Sequence, residues 1–354
     1  MKKFKILKNK KIIITGHTGF KGSWLSLFLK LMGAKVLGIS KDIPTTPSHF
    51  KVCKGLKKIN SKKIDICDLL KIKSVINKYK PDYIFHLAAQ PIVKKSITNP
   101  SQTWFSNTIG TLNILETLRF YKKKITAVII TSDKVYYNFE KKGAYKENDI
   151  IGGKDPYSAS KASAEIAIKS YFETYLKEKK NIRIAVARAG NVIGGGDWSE
   201  GRLIPDCIKS WSKNKNVRIR NLSSTRPWQH VLEVIYGYTV LAIELSKKKN
   251  LNGEAFNFGP NIKNDYKVID CLKEFKKNWK GIRWKKLKKN KKFKEAGLLK
   301  LNSNKAYSKL KWKANLNFSK TIKLTSDWYK SYYLEKKKII TNEQIKYFLK
   351  IINR

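Results

Sequence analysis

The chain has 354 residues, 42% of them hydrophobic, which suits one large folded domain or two moderate ones and excludes general disorder. No apolar run approaches the length of a membrane span. The basic start MKKFKILKNKKIIITG runs into a glycine turn instead of a cleavage site, so neither membrane insertion nor export is expected.

The formal net charge is +50, a balance that would suit a nucleic-acid or anionic-membrane partner. Yet 67 of the 76 basic residues are lysine and nine are arginine. Arginine is the side chain that reads phosphates and bases with two parallel bonds. The lysines are spread along the chain, densest at 57–63, 122–124, 246–249 and 285–294. We therefore expect no nucleic acid and no membrane as partner, and a surface field that attracts anionic small molecules. Cys53, Cys67, Cys207 and Cys271 are scattered without a C-x-x-C pair, which predicts no metal site and fits a reducing cytoplasm.

In chain order, KIIITG (11–16) reads as a buried strand and KGSWLSLFLKLMG (21–33) as a helix ended by Gly33. KVLGI (35–39) is a second strand. The stretch 65–80 holds a strand end and a helix stopped before Pro81. DYIFHLAA (82–89) is a third clear strand, 103–121 a long helix and ITAVIITS (125–132) another strand. A helix follows over 155–178, with Pro156 near its start, and then the strand NIRIAVAR (181–188). Strands alternating with helices, and apolar throughout, predict an α/β fold with a Rossmann-type doubly wound parallel sheet. After 190 the pattern loosens into a smaller mixed region, and EAFNFGP (254–260) reads as a strand returning to the main sheet. The boundaries expected are 1–190, with returning segments near 227–260, for a nucleotide-binding domain. Segments 191–226 and 261–354 form the other.

T-G-H-T-G-F-K-G (15–22) joins the first strand to the first helix. Gly16, Gly19 and Gly22 supply a tight turn, close backbone approach to a pyrophosphate, and close helix–strand packing. Asp42 lies 20 residues past Gly22, where an acid would hold the adenosine ribose hydroxyls and favour NAD. Ser40 and Lys41 beside it would instead suit a 2′-phosphate. Asp65 and Ile66 are placed to flank an adenine. Y-S-A-S-K (157–161) puts Tyr157 and Lys161 on one helix face, where the ammonium would favour the phenolate. A phenolate near neutral pH can take a proton from a sugar hydroxyl as hydride leaves the same carbon. Ser132, about 25 residues upstream, could hold that hydroxyl. T-S-D-K-V-Y (131–136) then sets Ser132, Asp133 and Lys134 at the carboxyl end of a strand, where open α/β sheets bind ligands. An acid and a base beside a hydride-transfer pair suit removal of water from a sugar.

These residues carry a resemblance. GHTGFKGSWLSL (16–27), HLAAQP (86–91), TSDKVY, DPYSASK (155–161), RAGNVIGGGDW (188–198), RLIPD (202–206), TRPWQHVLE (225–233) and FNFGP (256–260) together resemble the extended short-chain dehydrogenases/reductases. More narrowly they are similar to the CDP-glucose 4,6-dehydratases, whose dTDP-glucose relatives usually carry Asp-Glu where this chain has Asp133-Lys134. The resemblance implies bound NAD that takes hydride from C4 of CDP-glucose and returns it to C6. Tyr157 is the implied base, with Lys161 tuning it and Ser132 assisting. Lys134 would take the C5 proton, and Asp133 would protonate the departing C6 hydroxyl. Gly16, Thr18, Gly19, Phe20 and Gly22, with Leu87, Ala88, Gln90 and Asn107, match cofactor positions. Asn191, Arg202 and Arg226 match positions that hold the sugar nucleotide, Arg226 facing the diphosphate. His86 and His230 are expected to be structural, and Trp198 and Trp228 to be packing residues. A homodimer is implied, its helices 103–121 and 156–178 pairing with their copies. The lysine-rich 281–294 departs from the pattern. Two rivals stay open: a sugar-nucleotide epimerase of the same fold, and a basic nucleic-acid or membrane-surface protein.

Overall fold

A computed structural model describes residues 2–140, 143–261, 266–287 and 299–353. At its centre are seven strands, β1 (Lys11–Thr15), β2 (Lys35–Ser40), β3 (Asn60–Lys63), β4 (Tyr83–His86), β5 (Ile125–Ile130), β6 (Ile182–Ala189) and β7 (Ala255–Phe258). Every pairing between them is parallel, in the order β7-β6-β5-β4-β1-β2-β3. The connections reverse direction between β1 and β4, which opens a crevice at the carboxyl ends of these strands.

The strand residues alternate between two buried layers. Ile12 and Ile14 face one side, with α1 (Phe20–Leu31) and the helix Val231–Lys247. Ile13, Ile84, Ile129 and Ile184 face the other, with α2 (Leu69–Tyr79), α3 (100–119) and α4 (Pro156–Tyr171). Burial on both faces is why these strands are apolar throughout.

Three local differences from the expected elements have physical causes. The strand placed near residue 65 lies earlier, at β3, and all four of its residues are exposed. It is an edge strand carrying Lys62 and Lys63, so it has no apolar signal, and its lysines guard the open edge. The long helix near 103–121 runs from 100 to 119 through a π turn at Phe105–Ile109. The helix expected to reach 178 changes to a π turn at Phe172–Leu176. The returning strand 254–260 is β7, docked on β6.

Beyond Ala189 the chain builds three two-stranded ribbons among the described residues. They pair Val192–Ile193 with Gln229–His230, Thr225–Arg226 with Tyr266–Lys267, and Val217–Ile219 with Trp284–Lys286. Residues 288–294 of the lysine-rich segment lie outside the described residues. The C-terminal helices Phe318–Leu334 and Thr341–Ile352 pack into the same layer as α1.

Candidate active site

The turn after β1 is shaped by steric exclusion. Gly16 has φ +73°, and a Cβ there would stand 2.7 Å from the Ala88 amide nitrogen. A Cβ at Gly22 would stand 2.1 Å from the Gly16 carbonyl oxygen. Gly19 is the N-cap of α1 without a side-chain cap, and the first turn, beginning at Phe20, carries no acid. Its amides and the positive helix end are therefore left for an anion. A dinucleotide's pyrophosphate fits this cradle, with the turn residues 16–22 around it.

The turn is braced by its neighbours. Thr18 Oγ1 donates to the Asp42 carbonyl at 2.6 Å, and Ala88 N–H donates to Thr15 Oγ1 at 3.2 Å. Leu87 N–H donates to the Thr15 carbonyl at 3.1 Å. The Asp42 carboxylate is exposed at the end of β2, whereas Asp65 is drawn to Lys41 at 3.7 Å and to the Cys67 amide at 3.0 Å. Ile66 spends its side chain in the core beneath Gly110.

Gln90 and Asn107 are also occupied internally. Gln90 Nε2 donates to Thr103 Oγ1 at 2.9 Å, and its Oε1 accepts from the Ile92 amide at 2.7 Å. Asn107, fully buried, accepts from the Gln90 amide at 2.8 Å and donates to Ser160 Oγ at 2.9 Å. It ties the loop after β4 to the residue beside Lys161.

The residues expected to serve hydride transfer and dehydration converge at the carboxyl end of β5. Asp155 caps α4, accepting from the Tyr157 and Ser158 amides at 3.0 and 3.1 Å, with Pro156 in the first turn. This start fixes Tyr157 on the first turn and Lys161 one turn later. Both are buried. Ser132 lies within hydrogen-bonding reach of the Tyr157 phenol. Its own hydroxyl donates to Asp133 Oδ1 at 2.8 Å. Burial pushes the Tyr157 phenol up, with Ser132 and Arg202 opposing and Asp133 adding to the rise. The lowered phenol expected beside Lys161 is thus corrected, because loss of solvent outweighs the favourable partners. Lys161 is lowered to about 8 by burial, against the pull of Glu165, and donates to the Ile130 carbonyl at 3.5 Å.

Asp133 is buried in a slot made by Gly190, where a Cβ would fall 2.0 Å from the carboxylate. Asn191, at φ +50°, turns its amide to Asp133 Oδ2 at 3.4 Å. Lys134 is half-buried on the short turn Asp133–Val135, its amide bonded to Ser132 Oγ at 3.2 Å. Arg202 forms a 3.1 Å ion pair with buried Asp197. Arg226 sits on its ribbon and donates to the Thr225 carbonyl at 2.8 Å. The imidazoles of His86 and His230 are fully buried and held neutral, and Trp198 and Trp228 pack into the core layer.

Two members of this cluster escaped the sequence reading. Lys21 is lowered to about 7, first by burial and then by Arg202 and Lys161, while Asp133 and Asp197 oppose. Its charge is thus among the site's ions, although the fingerprint reading of 15–22 gives it no role. A lysine on the first turn of an anion-facing helix was the available signal. Asp197, in the glycine-rich G-G-G-D-W, was the other, since a buried acid in such a loop needs a partner. Among the described residues, no cluster of His, Cys, Asp and Glu could hold a metal ion, and no helix is long and apolar enough to cross a membrane.

A CDP-glucose 4,6-dehydratase of Salmonella typhimurium is 40% identical over 329 residues, covering 92% of this chain and 92% of that protein. A probable dTDP-glucose 4,6-dehydratase of Sinorhizobium fredii is 27% identical, covering 90% and 92%. In fold, the chain is similar to an epimerase of Methanothermobacter thermautotrophicus, with TM-score 0.82, 23% identity and coverage of 95% and 96%. It is likewise similar to a Bacillus anthracis dTDP-glucose 4,6-dehydratase solved in complex with NAD, with TM-score 0.76, 23% identity and coverage of 91% and 97%. The profile of the family described as GDP-mannose 4,6 dehydratase matches residues 13–325, and the chain belongs to that family.

Proposed function

We propose that the chain is an NAD-dependent hydro-lyase that converts CDP-glucose to CDP-4-keto-6-deoxyglucose and water. The observation that carries this reading is the 40% identity to a CDP-glucose 4,6-dehydratase along nine-tenths of the chain. The buried Ser132, Asp133, Tyr157 and Lys161 at one strand end support it chemically. Bound NAD would supply the hydride acceptor for C4 and the hydride donor for C6, so the reaction would have no net redox change.

The side chains handle protons. Tyr157 takes the C4 hydroxyl proton while Ser132 holds that oxygen, and the Lys161 cation favours the phenolate. The new 4-keto group acidifies C5, whose proton goes to Lys134, exchanges with solvent on that amine, and is replaced at C5 by a solvent-derived proton. Asp133 in its acid form gives a proton to the C6 hydroxyl, which leaves as water. The bond from Ser132 to Asp133 offers the C4 proton a path to that acid, so the proton released by oxidation can leave with the water. Asn191, Arg202 and Arg226 hold the sugar nucleotide, two arginines suiting two phosphates. The dinucleotide is held by Gly16, Thr18, Gly19, Phe20, Gly22, Leu87 and Ala88, with Asp42 on the adenosine ribose.

In this reading residues 1–190, with 227–260, form the cofactor unit, and 191–226 with 261–354 form the substrate unit. The exposed apolar side chains Trp104, Phe105, Ile109, Ile166 and Tyr175 on α3, α4 and its π turn favour a homodimer through these helices. All four cysteines are free thiols, which suits a cytoplasmic location.

The test is product analysis with CDP-, UDP- and dTDP-glucose and no added reductant. CDP-glucose should give a 4-keto-6-deoxy product that absorbs at alkaline pH. Faster turnover of either other nucleotide would overturn the substrate assignment. Inversion at C4 with the C6 oxygen kept would favour the epimerase reading.

A further inference from the structure

Behind the catalytic groups lies a buried charge network with no role in the proton steps above. Glu165 stands four residues after Lys161, on the same face of α4. Its partner is Arg188 of β6. The guanidinium Nε donates to both carboxylate oxygens, at 2.9 and 3.0 Å, and Nη2 closes the pair. The two side chains are 4% and 5% exposed, so the pair is sealed from solvent.

The network reaches both ends of the S-D-K segment. Thr131, just before Ser132, donates its hydroxyl to Glu165 Oε1 at 2.6 Å. Tyr136, two residues after Lys134, accepts from Arg188 Nη1 at 2.7 Å and donates to Asn257 Oδ1 of β7 at 2.8 Å. Arg188 Nη1 also donates to the Glu147 carbonyl at 2.9 Å. The stretch from 131 to 136 is thus bracketed by one ion pair. The same pair is rooted in the helix that carries Tyr157 and Lys161.

We propose that Glu165, locked by Arg188, is a positioning residue that registers the S-D-K segment against the Tyr157–Lys161 helix and keeps the Lys161 ammonium charged. This rests on the reading of Tyr157 and Lys161 as the pair that deprotonates the C4 hydroxyl.

The charge balance around Lys161 supports the second half of the proposal. The groups that feel its charge are Glu165 on its own helix, Lys21 from α1 and His86 from β4, and Tyr157 stands one turn earlier on that helix. Lys21 is cationic when protonated and burial holds His86 neutral, so neither favours a second cation. Burial lowers the Lys161 ammonium, and Glu165 opposes that shift. Arg188 pairs the Glu165 carboxylate with a guanidinium inside the fold, so the buried carboxylate is not left alone.

The test is direct titration of Lys161 in protein carrying carbon-13 at lysine Cε, the resonance being identified by its loss in Lys161→Met. Glu165→Gln should move that titration down by about one pH unit. The alkaline limb of kcat for CDP-glucose should move with it. Thr131→Val removes the tie but keeps the charge, so it should leave the titration in place and lower kcat about tenfold. A purely structural clamp makes a different prediction. It would lower the melting temperature of Glu165→Gln while leaving the Lys161 titration unmoved, and that result overturns the proposal. Where Glu165→Gln does not fold, Glu165→Gln/Arg188→Met leaves no unpaired buried cation and carries the same prediction. If the titration shifts while the parent protein does not turn over CDP-glucose, the proposal for Lys161 holds and the functional reading fails.

Discussion

The two sides of the cleft are built in different ways. The turn at 16–22 offers backbone: bare amides, a helix end, and glycines whose missing side chains make the room. The region after Ala189 offers side chains on short ribbons and loops, with Arg202 held by Asp197 and Asn191 turned by its positive φ. A backbone site tolerates almost no change in shape. A side-chain site can lose one contact and keep its form. Changes on the first side should therefore abolish binding, and changes on the second should weaken it.

The largest effect is expected at Gly22. Valine there would place Cβ 2.1 Å from a backbone oxygen that has nowhere to move. Gly22→Val should lose NAD binding and roughly 3 kcal/mol of stability. Thermal unfolding and tryptophan-monitored NAD titration check both, and parent-like affinity would break the comparison.

Acid should strike both sides together. Burial depresses all four histidines in the fold from 6.5, His17 to about 4 and His49, His86 and His230 to about 3. A depressed folded pKa means the neutral ring is favoured by folding. Its contribution is present above 6.5 and lost as pH falls toward 3. Glu233 has the opposite sign. Burial raises it from 4.5 to about 7, although it accepts the Asn315 and Leu316 amides, so its contribution is present below 4.5 and fades as pH rises through about 7. Four imidazoles outweigh one carboxyl, so stability should fall by several kcal/mol between pH 6.5 and pH 4. Scanning calorimetry across that range checks it; a flat melting temperature would mean the rings take up protons without unfolding.

The smallest effect is expected on the side proposed to hold the substrate. Arg226→Gln should raise KM for CDP-glucose about tenfold, leaving kcat within about twofold and NAD affinity unchanged. Steady-state kinetics sharpen the comparison. A parallel loss of NAD affinity would blur it.

The sequence made the backbone side legible because glycine spacing and apolar strands are direct consequences of steric exclusion and two-sided burial. Tyr157 and Lys161 were legible because helix periodicity fixes their common face. β3 was not, because an exposed edge strand has no apolar pattern to read. Nor was the slot at Gly190, since only the fold brings β6 beside Asp133. Lys21 and Asp197 were hidden for the same reason: their meaning comes from charges gathered from four separate stretches of chain. The phenol of Tyr157 marks the remaining limit, because pattern gives a lysine one turn away but not the degree of burial, which is what pushes the phenol up.

Internal hydride transfer is tested most directly with CDP-glucose carrying deuterium at C4. The label should appear at C6 of a 4-keto-6-deoxy product, with solvent hydrogen at C5 and no reductant consumed. Deuterium still at C4, or lost to solvent, would contradict a dehydratase that moves hydride from one carbon to the other.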